Sequence, residues 1–265
     1  GVAEAVVRFI SSAGTGRLAP KPRRWEAPAC AAALCACASS ADLRADSARV
    51  SGTAEHVLGA DADGWLVLPV GDHVVRVDAS SAGVTVVPLA ATDFSRPLAR
   101  VTFDSVPAET LSVTRRRFDD LAATVLAAEA AGVARWTLDT ATEYAKVREQ
   151  FGKPIGSFQA IKHMCAEMLL RSQQAATAAA DAAVAASNVA DPAAPAFGDD
   201  DDQLSIAAAI AAAIGIEAAK ANAKDCIQVL GGIGITWEHE AHLYLRRAYG
   251  IGQFLGGRPR WLRRV

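Results

Sequence analysis

The pattern of apolar and polar positions changes twice along the chain. Residues 1–38 are rich in alanine, and prolines interrupt two short helical patterns there. Residues 39–113 contain short runs of β-branched side chains, and glycine, aspartate or serine separates one run from the next. Such punctuation is typical of an antiparallel sheet or a small barrel. From residue 114 onward apolar residues recur every three to four positions, which indicates helices.

Strands and helices can be placed within these regions. The segment from Ala48 to Gly52 leads into a turn. The predicted strands are Trp65–Leu68, Val74–Val77, Val84–Val87 and Leu98–Phe103. One helix of about 35 residues is predicted to stop at Gly152, two residues before a proline. Further helices are predicted at 157–189, 203–230 and 238–248. Two prolines and four consecutive aspartates favour an exposed connector at 191–202.

These elements predict an α+β fold that is mainly helical. A small antiparallel β module, residues 39–113, is followed by a C-terminal four-helix bundle, residues 114–265. The chain has 265 residues and about half of them are apolar, so it is long enough for such a two-part core.

Composition excludes several classes of function. The formal net charge of −2 gives no general attraction to nucleic acid or to an anionic membrane. Cys35 and Cys37 are separated by a single residue, and no second cysteine pair follows them. Zinc sites usually have two or more residues between paired ligands, so no metal site is predicted. No charge-free apolar run approaches about 20 residues, so no membrane span is predicted. An odd number of small thiols suits a reducing compartment, and we expect a cytoplasmic protein.

Two motifs in the helical region are specific enough to suggest a family. The segment from Tyr144 to Gln159 reads YAKVREQFGKPIGSFQ, and the segment from Gln228 to Gly234 reads QVLGGIG. The first resembles Y-A-x-x-R-x-Q-F-G-x-P-I-x-x-F-Q and the second Q-x-x-G-G-x-G, both motifs of flavin-dependent acyl-CoA dehydrogenases. Their order and their separation also agree with that family.

The resemblance implies a cofactor, FAD, and a set of residues that hold it. In the family these positions grip the ADP half of an FAD that is bound mainly to a neighbouring subunit. The cofactor-binding candidates are Arg148, Gln150, Phe151, Gln228, Gly231 and Gly232. Their chemistry suits the role, because a planar guanidinium pairs with a pyrophosphate and glycines let a backbone approach a ligand closely. The adjacent Glu238 is interpreted as a structural residue near a helix start.

The same comparison finds no catalytic base at the expected positions. These enzymes use a carboxylate to remove the α-proton of an acyl-CoA while a hydride moves to the flavin. Alignment with the family's motifs puts Leu255 at the usual base position and Ala122 at the position used by a second subgroup. Neither side chain takes a proton. Glu129 is the one carboxylate in the apolar run from 121 to 134, and it is the alternative base candidate.

Other family features are missing as well. The loop and the strand that hold the flavin ring correspond to residues 37–43 and 56–60, and neither motif is present. The N-terminal helical domain is expected to survive only as a remnant in residues 1–38. The pattern resembles the degenerate subunit of a heteromeric α2β2 dehydrogenase, of the kind that acts on steroid-derived acyl-CoA thioesters in actinobacteria.

Three hypotheses follow. In the leading one, this chain completes the FAD site of a homologous catalytic partner, which also holds most of the acyl-CoA. In the second, the chain is a self-sufficient homo-oligomeric dehydrogenase that uses Glu129. In the third, it is a scaffold or pseudoenzyme that binds neither flavin nor acyl-CoA.

Overall fold

The computed structural model describes residues 32–34, 43–46, 48–60, 64–190 and 200–265. They group into two compact units, of which the first ends at Ala122 and the second begins at Ala123. Within the first unit, the structure describes two four-stranded sheets. The strands are β1 Ala32–Leu34, β2 Arg44–Asp46, β3 Arg49–Leu58, β4 Trp65–Val70, β5 His73–Asp78, β6 Val84–Leu89, β7 Leu98–Pro107 and β8 Glu109–Leu111.

The two sheets share one apolar core. Their strand orders are β1-β4-β5-β8 and β2-β3-β7-β6, and every pairing is antiparallel except that of β1 with β4. Along β7 buried and solvent-facing residues alternate, so that one face carries Ala99, Val101 and Phe103 into the core. The opposite face meets solvent, as expected for an antiparallel sheet.

Two bulges interrupt the pairing of β3 with β7. The register shifts once between Val50 and Gly52 and again between Ala54 and Val57. Ser105 and His56 lie at these shifts, and both have a positive φ, of 49° and 57°. An extra residue in one strand of a pair produces this geometry. The side chain of Arg49 holds the first bulge, because its Nε donates to the Ser105 carbonyl oxygen (2.7 Å) and hydroxyl (2.9 Å).

The second unit is a bundle of long helices. Its helices are α1 Arg115–Val147, which starts in the first unit, α2 Gln159–Ala190, α3 Asp200–Leu230, α4 Ala241–Ile251 and α5 Gly257–Leu262. A two-residue pair of strands, β9 Glu149–Gln150 and β10 Lys153–Pro154, separates α1 from α2. Short 3₁₀ turns at Ile155–Ser157, Gly231–Ile235 and Phe254–Gly256 precede α2, α4 and α5.

Small side chains let these helices approach closely. A Cβ at Gly215 of α3 would lie 3.3 Å from the Cβ of Ala130 in α1. Further along, the buried amide of Asn222 donates to the carbonyl oxygens of Ala134 (3.0 Å) and Met168 (2.9 Å). Asn222 therefore links α3 to α1 and to α2 in the interior of the bundle.

The predicted fold class is confirmed, with an antiparallel β module followed by a helical bundle. The four predicted strands and the four predicted helices are present, with ends that differ by up to five residues. The largest difference is in the first helix, which ends at Val147 and not at Gly152. The region from Ala48 to Gly52 is not a lead-in to a turn but the start of β3, which continues to Leu58. The predicted helical remnant at 1–38 lies outside the described residues, except that Ala32–Leu34 form a strand.

Two helical stretches, Arg115–Val147 and Asp202–Ile235, are long and apolar enough to cross a membrane. In each, 67% of the most apolar window is buried inside the fold. Core helices of a bundle have the same length and composition, so this is weak evidence for a membrane segment. The absence of a membrane span stays a prediction. The connector predicted at 191–202 lies outside the described residues up to 199, and its last aspartates belong to α3.

Candidate functional site

The first motif forms a tight hairpin directly after α1. The amide of Arg148 still donates to the carbonyl oxygen of Tyr144 (2.9 Å), and the Arg148 carbonyl accepts from the amide of Ile155 (2.8 Å). Phe151 and Gly152 form the tip with φ of 53° and 75°. Such a conformation is easy for glycine and unusual for phenylalanine. The Phe151 side chain is 89% exposed.

The second motif is a glycine turn at the end of α3. Gly231 has a φ of 62° and starts the 3₁₀ turn Gly231–Ile235. A Cβ at Gly231 or Gly232 would meet no atom within 4 Å, so both backbones are open to a ligand. A Cβ at Gly234 would instead lie 2.9 Å from the Cβ of Leu230. The first two glycines therefore expose backbone, and Gly234 is required for packing.

The two motifs lie at the same end of the bundle. Along α3, Gly215 is next to Ala130 and Asn222 is next to Ala134. Val229 and Leu230 then share an apolar cluster with Ala141 and Ala145 of α1. Contacts that advance together along both helices show that α1 and α3 run in the same direction. Their C-terminal ends, and the turns that follow them, therefore form one surface, residues 147–154 and 228–237, here called the end face.

The polar side chains on the end face are available for a ligand. Arg148, Gln150 and Gln228 are exposed, and within the described residues none of these side chains makes a hydrogen bond or ion pair. An exposed guanidinium can pair with a pyrophosphate through two parallel hydrogen bonds. Carboxamides can form hydrogen bonds with a ribose or a phosphate. The open space at Gly231 and Gly232 lets a ligand contact the protein backbone there. The set of groups fits the ADP half of FAD.

The two expected base positions are apolar and buried. Leu255 is buried in the turn before α5, with a φ of 52°. Ala122 is buried on α1. Neither position carries a group that can accept a proton from a substrate.

Glu129 is engaged in an ion pair. Its carboxylate accepts from the guanidinium of Arg247 on α4, and the two side chains are only 16% and 17% exposed. To act as a base, the carboxylate would have to give up this partner. The sequence analysis identified Glu129 but missed Arg247. The alignment that places Leu255 at the base position also aligns Arg246-Arg247-Ala248 with an R-D-A motif of the resembled family, so that Arg247 stands where an aspartate is expected. This change of charge is the signal that could have indicated a partner for Glu129.

Of the residues after the glycine turn, His239 has a structural role. Nδ1 of His239 accepts from the amide of Ala241 (3.0 Å), and so satisfies a donor at the start of α4. Glu238 is exposed and precedes α4 by three residues, so it does not lie in the first turn of that helix.

The cysteines form no metal site in the part of the chain that the structure describes, where no cluster of metal-ligating side chains is found. Cys226 is buried in the bundle, and this burial raises the pKa of its thiol to about 12. Burial also raises the pKa of the Cys165 thiol. Both are weak nucleophiles as a result. Cys35 and Cys37 lie outside the described residues.

Comparison with known proteins decides the family. The sequence profile described as "Acyl-CoA dehydrogenase, C-terminal domain" matches residues 112–258, which include both turns of the end face. The chain belongs to the acyl-CoA dehydrogenase family. Acyl-CoA dehydrogenase FadE34 of Mycobacterium tuberculosis is 65% identical over 215 residues. Those residues are 81% of this chain and 29% of FadE34, so this chain spans less than a third of that relative.

Two solved structures of similar fold each contain two different proteins. The Tcur3481-Tcur3483 steroid ACAD is 28% identical with a TM-score of 0.72, and the match covers 84% of this chain and 60% of that chain. The ChsE4-ChsE5 complex from Mycobacterium tuberculosis is 26% identical with a TM-score of 0.69, covering 87% and 64%. The fold of this acyl-CoA dehydrogenase homologue is thus shared with members that are built from two different chains.

Proposed function

We propose that this chain is a subunit of a cytoplasmic, FAD-dependent acyl-CoA dehydrogenase and completes the FAD site of a homologous catalytic partner. The observation that carries the proposal is the end face. Six cofactor-binding candidates from two distant segments meet there and are exposed, whereas both expected base positions are buried and apolar. The chain retains the groups that serve a neighbour's flavin and lacks those that serve its own substrate.

The bound flavin would supply the acceptor for the hydride that leaves the β-carbon of the acyl-CoA. This chain's part would be to hold the cofactor in place. Arg148 would neutralise the pyrophosphate, Gln150 and Gln228 would bond the ribose or the phosphates, and Gly231 and Gly232 would allow close approach. Phe151 would cover one side of the nucleotide. The base that removes the α-proton would come from the partner, together with most of the acyl-CoA pocket.

An α2β2 assembly and a steroid-derived acyl group are further parts of the proposal. The similarity to the Tcur3481-Tcur3483 steroid ACAD supports a steroid-derived acyl group, and the similarity to that protein and to the ChsE4-ChsE5 complex supports assembly with a second, different chain. The alternative in which the chain works alone with Glu129 is disfavoured, because Arg247 already holds that carboxylate inside the bundle. The alternative of a scaffold without cofactor is disfavoured by the unused polar groups of the end face.

Co-expression tests the proposal. The chain is produced alone and together with candidate homologous acyl-CoA dehydrogenase subunits from the same organism, and flavin absorbance and acyl-CoA oxidation are measured. The chain alone should be colourless and inactive, and the complex should be yellow and active. A yellow and active product from this chain alone would refute the proposal.

A variant ties the flavin to the end face. Arg148→Ala should lower flavin occupancy of the complex at least about tenfold, since a charge-assisted bidentate contact is lost. Arg135→Ala is the matched control, because Arg135 is an exposed α1 arginine that pairs with Asp139 one turn away. Equal flavin occupancy in both variants would remove Arg148 from the site.

A further inference from the structure

A cavity opens on the side of the bundle where α2, α3 and α5 meet. Its volume is about 200 Å³, and side chains of all three helices line it. Ala218, one of the lining residues of α3, is ten positions from Gln228, which is about 15 Å along the helix. None of the six cofactor-binding candidates lines the cavity, so the proposed function leaves it without a role.

Most of the cavity wall is apolar. Ala218 is 2% exposed and lies at its inner end, and Ile214 lies one turn earlier on α3. Leu262 of α5 is 49% exposed and lies at the opening. An apolar cavity of about 150 Å³ in another protein stays dry and accepts a ring of benzene size. The space between α2, α3 and α5 therefore suits an apolar group of about five or six carbon atoms.

Two arginines bring positive charge to the opening of this cavity. Arg171 of α2 and Arg258 of α5 both line it, and their side chains are 24% and 44% exposed. One terminal amino group of Arg171 pairs with Asp225, and its Nε donates to the Glu167 carbonyl oxygen (3.2 Å). Within the described residues its second terminal amino group makes no hydrogen bond. The Arg171 guanidinium is therefore held in place and keeps a donor for a ligand.

The ion pair of Arg258 is weak by comparison. Its Nε lies 3.7 Å from the Glu217 carboxylate, which is too far for a hydrogen bond. Both side chains are about half exposed, so water weakens the attraction between them. A carboxylate that reaches Arg258 with good geometry would form a bidentate, charge-assisted pair, which is stronger. It would take the place of Glu217 beside the guanidinium.

We propose that this cavity binds a monocarboxylate with a short apolar chain. The chain packs against Ile214, Ala218 and Leu262, where it replaces water on an apolar wall. The carboxylate lies at the opening between Arg171 and Arg258 and accepts hydrogen bonds from both guanidinium groups. The site goes beyond the proposed function, because it uses none of the residues assigned to the flavin.

A single negative charge suits the opening better than several. Asp225 already offsets the charge of Arg171, so Arg258 is the cation that a ligand satisfies. Two further arginines of this region, Arg260 and Arg264, lie over the Trp261 ring and do not line the cavity. A phosphate ester carries up to about two negative charges. A monocarboxylate therefore matches the charge of the opening and the apolar wall behind it.

Three probes separate the apolar contribution from the charged one. Hexanoate, hexanol and acetate are titrated into the full chain, and their binding is followed by ligand-detected NMR. Hexanoate should bind with a dissociation constant of about 1 mM or below, because it uses both parts of the site. Hexanol lacks the charge and acetate lacks the chain, so each should bind at least about tenfold more weakly.

Variants assign the binding to particular side chains. Arg258→Gln should weaken hexanoate binding at least about fivefold, and Glu217→Gln should strengthen it about twofold or more, because Glu217 no longer competes for Arg258. Leu262→Trp puts a larger side chain at the opening and should weaken binding about tenfold. The matched controls are Arg100→Gln and Glu55→Gln, an exposed arginine–glutamate pair of the β module, which should leave the affinity unchanged.

Several results would overturn the carboxylate site. One is the absence of hexanoate binding to the wild-type chain at about 10 mM. Another is equal affinity for hexanoate in the wild type and in Arg258→Gln, or equal affinity of the wild type for hexanoate and hexanol. Loss of binding when the chain is assembled with a homologous subunit would mean that a neighbouring chain fills the cavity. None of these measurements depends on flavin, so they leave the proposed function to its own test. Unchanged circular dichroism establishes that the variants are folded.

Discussion

Glu129 and Arg247 carry opposite charges inside an alanine-rich bundle, and each offsets the cost of burying the other. The two residues are 118 positions apart, so no local spacing in the sequence could reveal the pair. Glu129 was recognisable as an unusual carboxylate in an apolar run, but its role depends on a partner that only the fold brings near. The ion pair with Arg247 favours a structural role for Glu129 over a catalytic one.

Replacing Glu129 tests that interpretation. Glu129→Gln should lower the free energy of unfolding by about 1–3 kcal/mol, because a largely buried guanidinium loses its charged partner. Chemical denaturation measures the loss. Asp139→Asn serves as the control, since Arg135 and Asp139 also form an arginine–carboxylate pair but are more than half exposed, and it should change stability by less than about 0.5 kcal/mol. The complex should keep its turnover per flavin in Glu129→Gln; loss of turnover in a folded variant would restore the base hypothesis.

Two glycines of the second motif, Gly232 and Gly234, have different expected roles, one in cofactor binding and the other in packing. Gly232 has no positive φ and an added Cβ would meet open space, so Gly232→Ala should leave stability nearly unchanged while lowering flavin occupancy of the complex. Gly234→Ala should instead destabilise the fold by about 1–3 kcal/mol, because its Cβ would collide with Leu230 and Ile227. Thermal unfolding and flavin absorbance distinguish the two. Full flavin occupancy in Gly232→Ala would contradict its assignment to the cofactor.

At the scale of elements, the helices were predictable because long amphipathic periods and proline or glycine stops are local properties. In the β module, β1, β2, β3 and β8 were not predicted, and β3 is the longest of these strands. Its two bulges, at Ser105 in the partner strand and at His56, break the two-residue alternation that identifies a strand. The convergence of the two motifs was not predictable from periodicity, because it depends on α1 and α3 running in the same direction.

The buried amide of Asn222 is one contact that joins α1, α2 and α3. Asn222→Ala should lower the free energy of unfolding by about 2–3 kcal/mol, since two hydrogen bonds to helix carbonyls are lost and a cavity remains. Asn188→Ala on the exposed side of α2 should have an effect below about 0.5 kcal/mol. Urea titration measures both. Equal stability of the two variants would show that Asn222 does not hold the helices together.

For the whole molecule, the family could be recognised from sixteen residues of one motif and seven of another, but the role of the chain could not be read from the motifs alone. Arg148 and Gln228 have the same identity in a complete enzyme and in a degenerate subunit. The proposed role as a degenerate subunit rests instead on the surrounding chemistry: buried Leu255 and Ala122 and an ion-paired Glu129. That the two motifs reach one exposed surface is a property of the fold and not of either motif.

The proposed function also predicts the number of flavins in the assembled complex. If the chain completes its partner's site and holds no flavin ring of its own, the α2β2 complex should contain one FAD per pair of different chains. Flavin absorbance gives the cofactor content, and light scattering after size exclusion gives the mass of the complex. Two flavins per pair would mean that this chain also forms a complete site, in which case the missing ring-binding motif at 56–60 would not be a functional loss. Arg148→Ala should then lower the ratio only at the partner's site, whereas with one flavin per pair it should empty the complex.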